Sequence, residues 1–304
     1  MPSAAEVKGR IKSIEDTRKI TNAMYLIAST KLRRAKNDLE RTRPYFYALR
    51  NEIKRIFRTV RDVESQYFYP PGDEPITEGT FGCLVITADK GLAGSYNQNV
   101  IKKAMSLLEK HSDTQLFVVG EYGRHFFDQH NIPIEHSFLY TAQNPTMDRA
   151  REISSLLLEK FDQGLLKKIY IVYTDMENSL NSEAISTRIL PFHRGHFMTP
   201  DDENARVVQY EFEPSVRAVL NNVMPSYVSG FIYSALVDSF CSEQNARMNA
   251  MSAANDNAEE LLEGLSTEYN RIRQSKITQE ITEITAGAKA QKRKRERRKE
   301  VQIP

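Results

Sequence analysis

Residues 4–61 hold a single proline, Pro44, and a single glycine, Gly9, and they repeat apolar or small side chains every third or fourth position. Positions 7, 11, 14, 18, 21, 25, 28, 32, 35 and 39 read Val, Ile, Ile, Arg, Thr, Tyr, Ala, Leu, Ala and Leu, eight of them apolar or small. That four-three spacing is the seam of a helix lying along another helix. Pro44 removes one backbone hydrogen bond, so a bend is expected there rather than an end. A continuous helix of this length spans roughly 85 Å, too long to be wrapped by a globular core.

The partner for that seam is expected at the other end of the chain. From Pro214 to Ile303 the helical pattern returns, with an interruption expected at Pro225. Ala250, Ala254 and Ala258 are small residues that let a second helix come close, and Leu262, Leu265, Tyr269 and Ile272 continue the stripe. Beyond Ile272 the seam positions fall on Lys276, Gln279 and Glu283, while Ile277, Ile281, Ile284 and Ala288 form a new stripe on a rotated face. Either the helix changes partner there, or one coiled coil carries a local stutter.

Between the two ends the pattern changes. A linker over Tyr69–Gly79 contains Pro70, Pro71, Gly72 and Pro75. Short apolar runs at 82–87, 116–119 and 169–173 read as buried strands, with helical stretches around 98–111, 122–130 and 146–162 between them. A further strand over Val207–Phe212 could follow the polar loop 194–206. The expected fold class is therefore α/β: a long antiparallel coiled coil of N- and C-terminal helices plus a central Rossmann-like α/β domain with a mostly parallel sheet. The expected divisions are 1–65, 80–213 and 214–304, the last ending in a basic tail.

The formal net charge of +2 hides segregation: residues 1–61 carry +10, residues 289–304 carry +6, and the stretch between carries −14. Basic ends and an acidic middle suit different partners. No aromatic residues interleave the basic tail, and the N-terminal charges share a helix with the apolar seam, so nucleic-acid binding is not expected. No run approaches eighteen apolar residues, so no membrane span is expected, and the N-terminus lacks the apolar core of a secretory signal. Cys83 and Cys241 have no metal-ligand spacing and read as buried thiols of a reducing compartment.

The stretch Asp89–Asn97 follows the first strand and precedes a helix, where nucleotide-binding folds place a phosphate loop. Its glycines, Gly91 and Gly94, are spaced GxxG without a following GK[ST], which reads as a tight structural turn. His193 and His196 flank Arg194 in a loop, and no HExxH occurs among the six histidines. No catalytic, cofactor-binding or metal-ligating residue is expected.

Both helical ends carry motifs that resemble a known family. Near the start these are Arg10–Ile14, Thr17–Met24 and Ala28–Ala35; near the end, Ser234–Ser239, Glu243–Met248 and Glu268–Ile284, with the Gly91–Asn97 turn between. In order and over nearly the whole chain, they resemble the gamma subunit of F-type ATP synthases. The resemblance implies a non-catalytic, cofactor-free rotor shaft threaded through alternating alpha and beta subunits. Its foot would meet epsilon and a membrane-embedded c-ring, placing it peripherally on the cytoplasmic side of a bacterial-type cell membrane. By the family pattern Arg273, Gln274 and Thr278 face a loop of beta, with Met24 opposite on the N-terminal helix and Arg247 approaching another beta contact. Tyr210, Phe212 and Glu213 match foot positions that touch the ring and epsilon. The chain departs from the pattern in its extension from Lys289 to Pro304, and it lacks the cysteine-bearing insertion of chloroplast relatives.

Overall fold

A computed structural model describes residues 3–60, 65–69, 79–139, 142–176, 182–197 and 210–300. Helix α1 runs Ala4–Thr59 and continues past Pro44 without ending there. The central elements are β1 Phe81–Ile86, α2 Tyr96–Lys110, β2 Thr114–Val119, α3 Glu121–Gln129, β3 His136–Phe138, α4 Met147–Asp162, β4 Lys168–Met176 and β5 Ser182–Leu190, then a short 3-10 turn at Arg194–His196. Helix α5 runs Val216–Glu300.

The expected interruption at Pro225 does not occur. Proline forfeits its own amide bond and crowds the carbonyl four residues back, but the buried residues that follow it, Tyr227, Val228 and Ile232, hold the helix to the core. Ser229 Oγ also donates to the Pro225 carbonyl at 2.8 Å. Most of the linker expected over Tyr69–Gly79 lies outside the described residues, as does most of the loop 194–206. Of the strand considered over Val207–Phe212, only Tyr210–Phe212 is described, and it is not in a strand.

The chain packs as two compact units, Leu26–Ala250 and Met1–Tyr25 with Met251–Pro304. In the larger unit the sheet order is β3-β2-β1-β4-β5. Strands β1, β2, β3 and β4 are parallel, and β5 returns antiparallel on β4. Both faces of the central strands are covered, which is why they read as unbroken apolar runs. Leu84, Ile86, Phe117, Val119, Ile169 and Ile171 face a core shared with Ile153 and Leu157 of α4, Ile53 and Ile56 of α1, and Leu220, Met224, Val228 and Leu236 of α5. Cys83, Val85, Leu116, Val118 and Val172 face α2 and α3 through Val100, Ala104, Leu107 and Phe127. Each fully buried side chain of this kind contributes about 1.5–3 kcal/mol. The lower parts of both terminal helices are thus built into the same core as α4.

In the smaller unit the two helical segments run antiparallel. Thr21 Oγ1 donates to Asn255 Oδ1, and Arg18 pairs with Glu259 at 3.7 Å, so the partner number rises as the first falls. Val7, Met251 and Ala258 are buried in the seam. Ile11, Ile14, Thr21, Ala254, Leu262, Leu265, Tyr269 and Ile272 are half-buried along it, the four-three spacing of the sequence made physical.

Candidate functional surfaces

Two places in the fold could carry function: the crevice at the C-terminal ends of β1 and β4, and the faces of the terminal helices. The crevice is a topological switch point, because the chain leaves β1 towards β2 and β3 and comes back on β1's other side as β4. Open α/β sheets bind ligands at such points. Here the chain's own groups fill it. The Thr87 hydroxyl donates to the Val119 carbonyl at 2.9 Å and accepts the Gly123 amide at 3.0 Å. Asp89 Oδ1 accepts the Glu121 amide at 3.0 Å, and the Ala88 carbonyl accepts that of Tyr122. The first turn of α3, which in a nucleotide fold would face phosphate, is therefore capped by the end of β1. Gly120 permits this approach: its φ is +97°, and a Cβ there would lie 2.3 Å from the Thr87 carbonyl oxygen.

The other wall of the crevice is α5. Ser239 Oγ accepts the Thr174 amide of β4 at 3.2 Å. One helical turn on, Glu243 pairs with Arg247 at 2.5 Å, and only 8% and 11% of the two side chains is exposed. Burial pushes the Glu243 carboxyl up, and Arg247 holds it down. Arg247 also donates to the carbonyls of Gly91 at 3.1 Å and Lys90 at 3.4 Å in the Asp89–Asn97 turn. Removing one partner of such a buried pair costs about 3–5 kcal/mol, since the other charge is left unpaired. Nearby, burial also raises the Tyr96 phenol. The GxxG turn is thus a docking point for a helix.

On the terminal helices, the capping box at Ser3 starts α1: the Ser3 amide donates to Glu6 Oε2 at 2.9 Å and the Glu6 amide to Ser3 Oγ at 3.2 Å. Sequence reasoning passed over this S-x-x-E signal. Ser3, Ala4 and Ala5 line one cleft with Glu268, Arg271, Ile272 and Gln279. The first turn of α1 therefore lies level with the point where the α5 seam stops. From Arg273 to Arg293 every residue of α5 is exposed. Ile277, Ile281 and Ile284 are 46%, 59% and 73% exposed, and among the described residues nothing covers that stripe. The rotated stripe is a bare face, which a stutter in one continuous seam would not produce.

The family-pattern residues fall into separate groups. Arg273, Gln274 and Thr278 are exposed together at the exit from the seam, the Thr278 hydroxyl donating to the Gln274 carbonyl at 2.9 Å. Met24 is half-buried and is not brought to them: the register set by Thr21 and Asn255 puts it near Ser252, about 30 Å along the axis from Arg273. Arg247 has its bonds turned inward, as above. Tyr210 is exposed, with the Arg55 guanidinium 5.9 Å from its ring centre. Phe212 packs against the larger core, and Glu213 is exposed beside it. His193 stacks on Tyr69 at 4.6 Å, and no metal-holding cluster occurs among the described residues.

The ATP synthase family model matches residues 3–291. An ATP synthase gamma chain of Caldanaerobacter subterraneus is 41% identical over 287 residues, covering 92% of this chain and 97% of its own. The chain belongs to the ATP synthase gamma family. Among solved structures the fold is similar to a chain in the Euglena gracilis mitochondrial ATP synthase rotor, with TM-score 0.62, 13% identity, and coverage of 90% of this chain and 98% of that one. A chain in an OSCP/F1/c-ring structure of the same Euglena enzyme gives TM-score 0.66 at 14% identity, covering 95% and 94%. Family membership makes this chain a subunit of an ATP synthase complex. No described helix is long and apolar enough to cross a membrane.

Proposed function

We propose that this chain is the rotating central shaft of an F-type ATP synthase. It couples ion flow through a membrane-embedded c-ring to ATP synthesis or hydrolysis at sites on alpha and beta, and it performs no chemistry itself. The observation that carries this reading is the stretch Arg273–Arg293, a helix exposed on every face with an apolar stripe along one of them. An isolated helix gains little from propensity alone, so this length calls for a surrounding sleeve. Arg273, Gln274 and Thr278 stand where the seam opens and meet the beta subunits, with Met24 in the same partner-facing set; Arg247 serves a beta contact from behind, through its bonds to the Asp89–Asn97 turn. Tyr210, Phe212 and Glu213 meet epsilon and the c-ring. The segments 1–65, 80–213 and 214–304 act as coiled-coil arm, foot and long arm. The non-catalytic reading is supported by the switch-point crevice, which Ser239, Glu243 and Arg247 occupy. The complex sits on the cytoplasmic side of the cell membrane, and this chain is peripheral to it.

The test replaces Arg273 and Gln274 by alanine in the assembled complex. Two charge-assisted or polar contacts of about 1.5–3 kcal/mol each are then lost at one rotary position. ATP-driven ion pumping should fall relative to ATP hydrolysis while the complex still assembles. Unchanged pumping in the double variant would refute the assignment of these residues, and failure of the wild-type chain to co-purify with alpha, beta and epsilon would refute the shaft.

A further inference from the structure

We propose that Arg247 is a positioning residue: it acts in coupling by holding the Asp89–Asn97 turn in one conformation against α5, so that the turn meets the beta subunits. The proposal rests on the shaft reading above and assigns a route within it. The guanidinium is not a free surface cation. One terminal nitrogen donates to Glu243 and the other to the carbonyls of Gly91 and Lys90, and the side chain is only 11% exposed. Glu243 in turn sits one helical turn back on α5, where it can fix the arginine's rotamer while being itself too buried to reach a partner. The chain of influence runs from a buried carboxylate through a guanidinium to two backbone carbonyls.

What those carbonyls control is the tip of the turn. Leu92 has φ +61°, a left-handed conformation unusual for a branched aliphatic residue, and Gly94 follows at φ +54°. Such a backbone persists only where its surroundings over-determine it. The tethers are Arg247 on one side and Asn97 on the other, whose Oδ1 accepts the Ala88 amide at 2.9 Å. Between them Leu92 projects with 65% of its surface exposed, flanked by exposed Lys90 and Ser95. An apolar side chain held on a strained, pinned backbone next to a cation is a pre-organised contact point. Lysine could not replace Arg247, because a single ammonium cannot span a carboxylate and two carbonyls as the planar fork does.

The experiment uses the whole ATP synthase complex carrying Glu243→Gln, Arg247→Lys, the double variant, or Asn97→Ser. Two readouts are followed: the ratio of ATP-driven ion pumping to ATP hydrolysis, and hydrogen exchange at the amides of residues 90–95. Glu243→Gln is nearly isosteric and Asn97→Ser keeps a hydroxyl acceptor, so both are expected to fold. Glu243→Gln and Arg247→Lys should each speed exchange in the turn about ten- to a hundredfold and lower the pumping ratio together. The double variant should be no worse than either single one, because both cut one path. Asn97→Ser, buried and away from any partner, should loosen the turn and lower the ratio without touching Arg247. A normal ratio in Glu243→Gln beside a low one in Arg247→Lys would overturn the proposal, since Arg247 would then touch the partner itself. Faster exchange with unchanged ratios in all four variants would overturn it too, leaving a clasp that is only structural. A wild-type chain that forms no ATP-hydrolysing complex would overturn the shaft reading, and this proposal with it.

Discussion

Gly230 offers a test in which local propensity and packing disagree in sign. It lies inside α5, where replacing glycine by alanine ordinarily gains roughly 0.5–1 kcal/mol. Here a Cβ would stand 1.9 and 2.0 Å from Cε1 and Cδ1 of Phe46 on α1, and 2.8 Å from Cζ. Carbon atoms in contact keep about 3.5–4.0 Å apart, so the ring must retreat by about 1.5 Å. Its retreat is hindered: the Tyr45 ring stands edge-on at 5.3 Å and the Tyr233 ring is tilted at 6.4 Å. The space left to it is the cavity lined by Leu39, Arg43, Tyr47, Tyr227 and Phe231, where it would have to leave its present place over Gly230. Overpacking of this kind costs about 1–3 kcal/mol, which exceeds the propensity gain. Gly230→Ala should therefore destabilise the chain by about 1 kcal/mol. Urea unfolding followed by circular dichroism, on wild type, Gly230→Ala, Phe46→Leu and the double variant, separates the two effects. In the Phe46→Leu background the alanine should become neutral or stabilising. A Gly230→Ala chain more stable than wild type, or a penalty that survives Phe46→Leu, would refute the close-approach argument.

Two further outcomes follow from buried ionisable groups in the larger unit. Burial first, then the charge of Asp175, pushes the Asp238 carboxyl up to about 7 against the pull of Arg43. The folded chain then holds this proton more tightly than the unfolded one, so the associated stability is full below the ordinary carboxylate range and lost as pH rises through about 7. Asp238→Asn should raise the melting midpoint at pH 8 and leave it nearly unchanged at pH 4, and two parallel melting-point-against-pH curves would count against it. Burial pushes both the Cys83 and Cys241 thiols up to about 12, so a maleimide at pH 8 should label neither until denaturant is added; rapid labelling of the native chain would contradict their placement.

What the sequence disclosed depended on how each element is buried. The seam of α1 and the strands β1, β2 and β4 were legible because a continuous apolar partner leaves a periodic or unbroken apolar trace. β5 was not, since among the described residues Ser182–Leu190 is an edge strand paired with β4 alone, and it mixes Glu183, Ser186 and Arg188 among its apolar residues. β3 is three residues long, too short for any pattern. Pro225 was over-read: a proline breaks a helix that has only propensity to hold it, and this one is held by a core. The Arg247 clasp was invisible for another reason. Glu243 and Arg247 at i,i+4 look like any surface pair in sequence, and only the carbonyls of Lys90 and Gly91, more than 150 positions away, make them a buried joint.

The three stretches of α5 differ in chemistry because they solve different problems. Residues 229–245 are all buried or half-buried, polar ones included, because they pack on the sheet and its backbone; Ser239 accepts the Thr174 amide and Glu243 pairs with Arg247, so these polar groups serve bonding, not solubility. Residues 251–272 face one helix only, so a narrow stripe suffices and the rest is charged. Residues 273–293 touch their own chain only near the first turn of α1 among the described residues, yet retain Ile277, Ile281 and Ile284 in helical register on an exposed face. If that last stretch were a solvated extension, those isoleucines would destabilise solubility and gain nothing, and polar residues would serve the helix equally well. Their spacing makes sense only against an outer surface that is met and left again. A stripe of three residues, half exposed even at its best-covered member, is narrow enough for a contact that must be broken at each step of a rotation, whereas a wide one would hold the shaft fast.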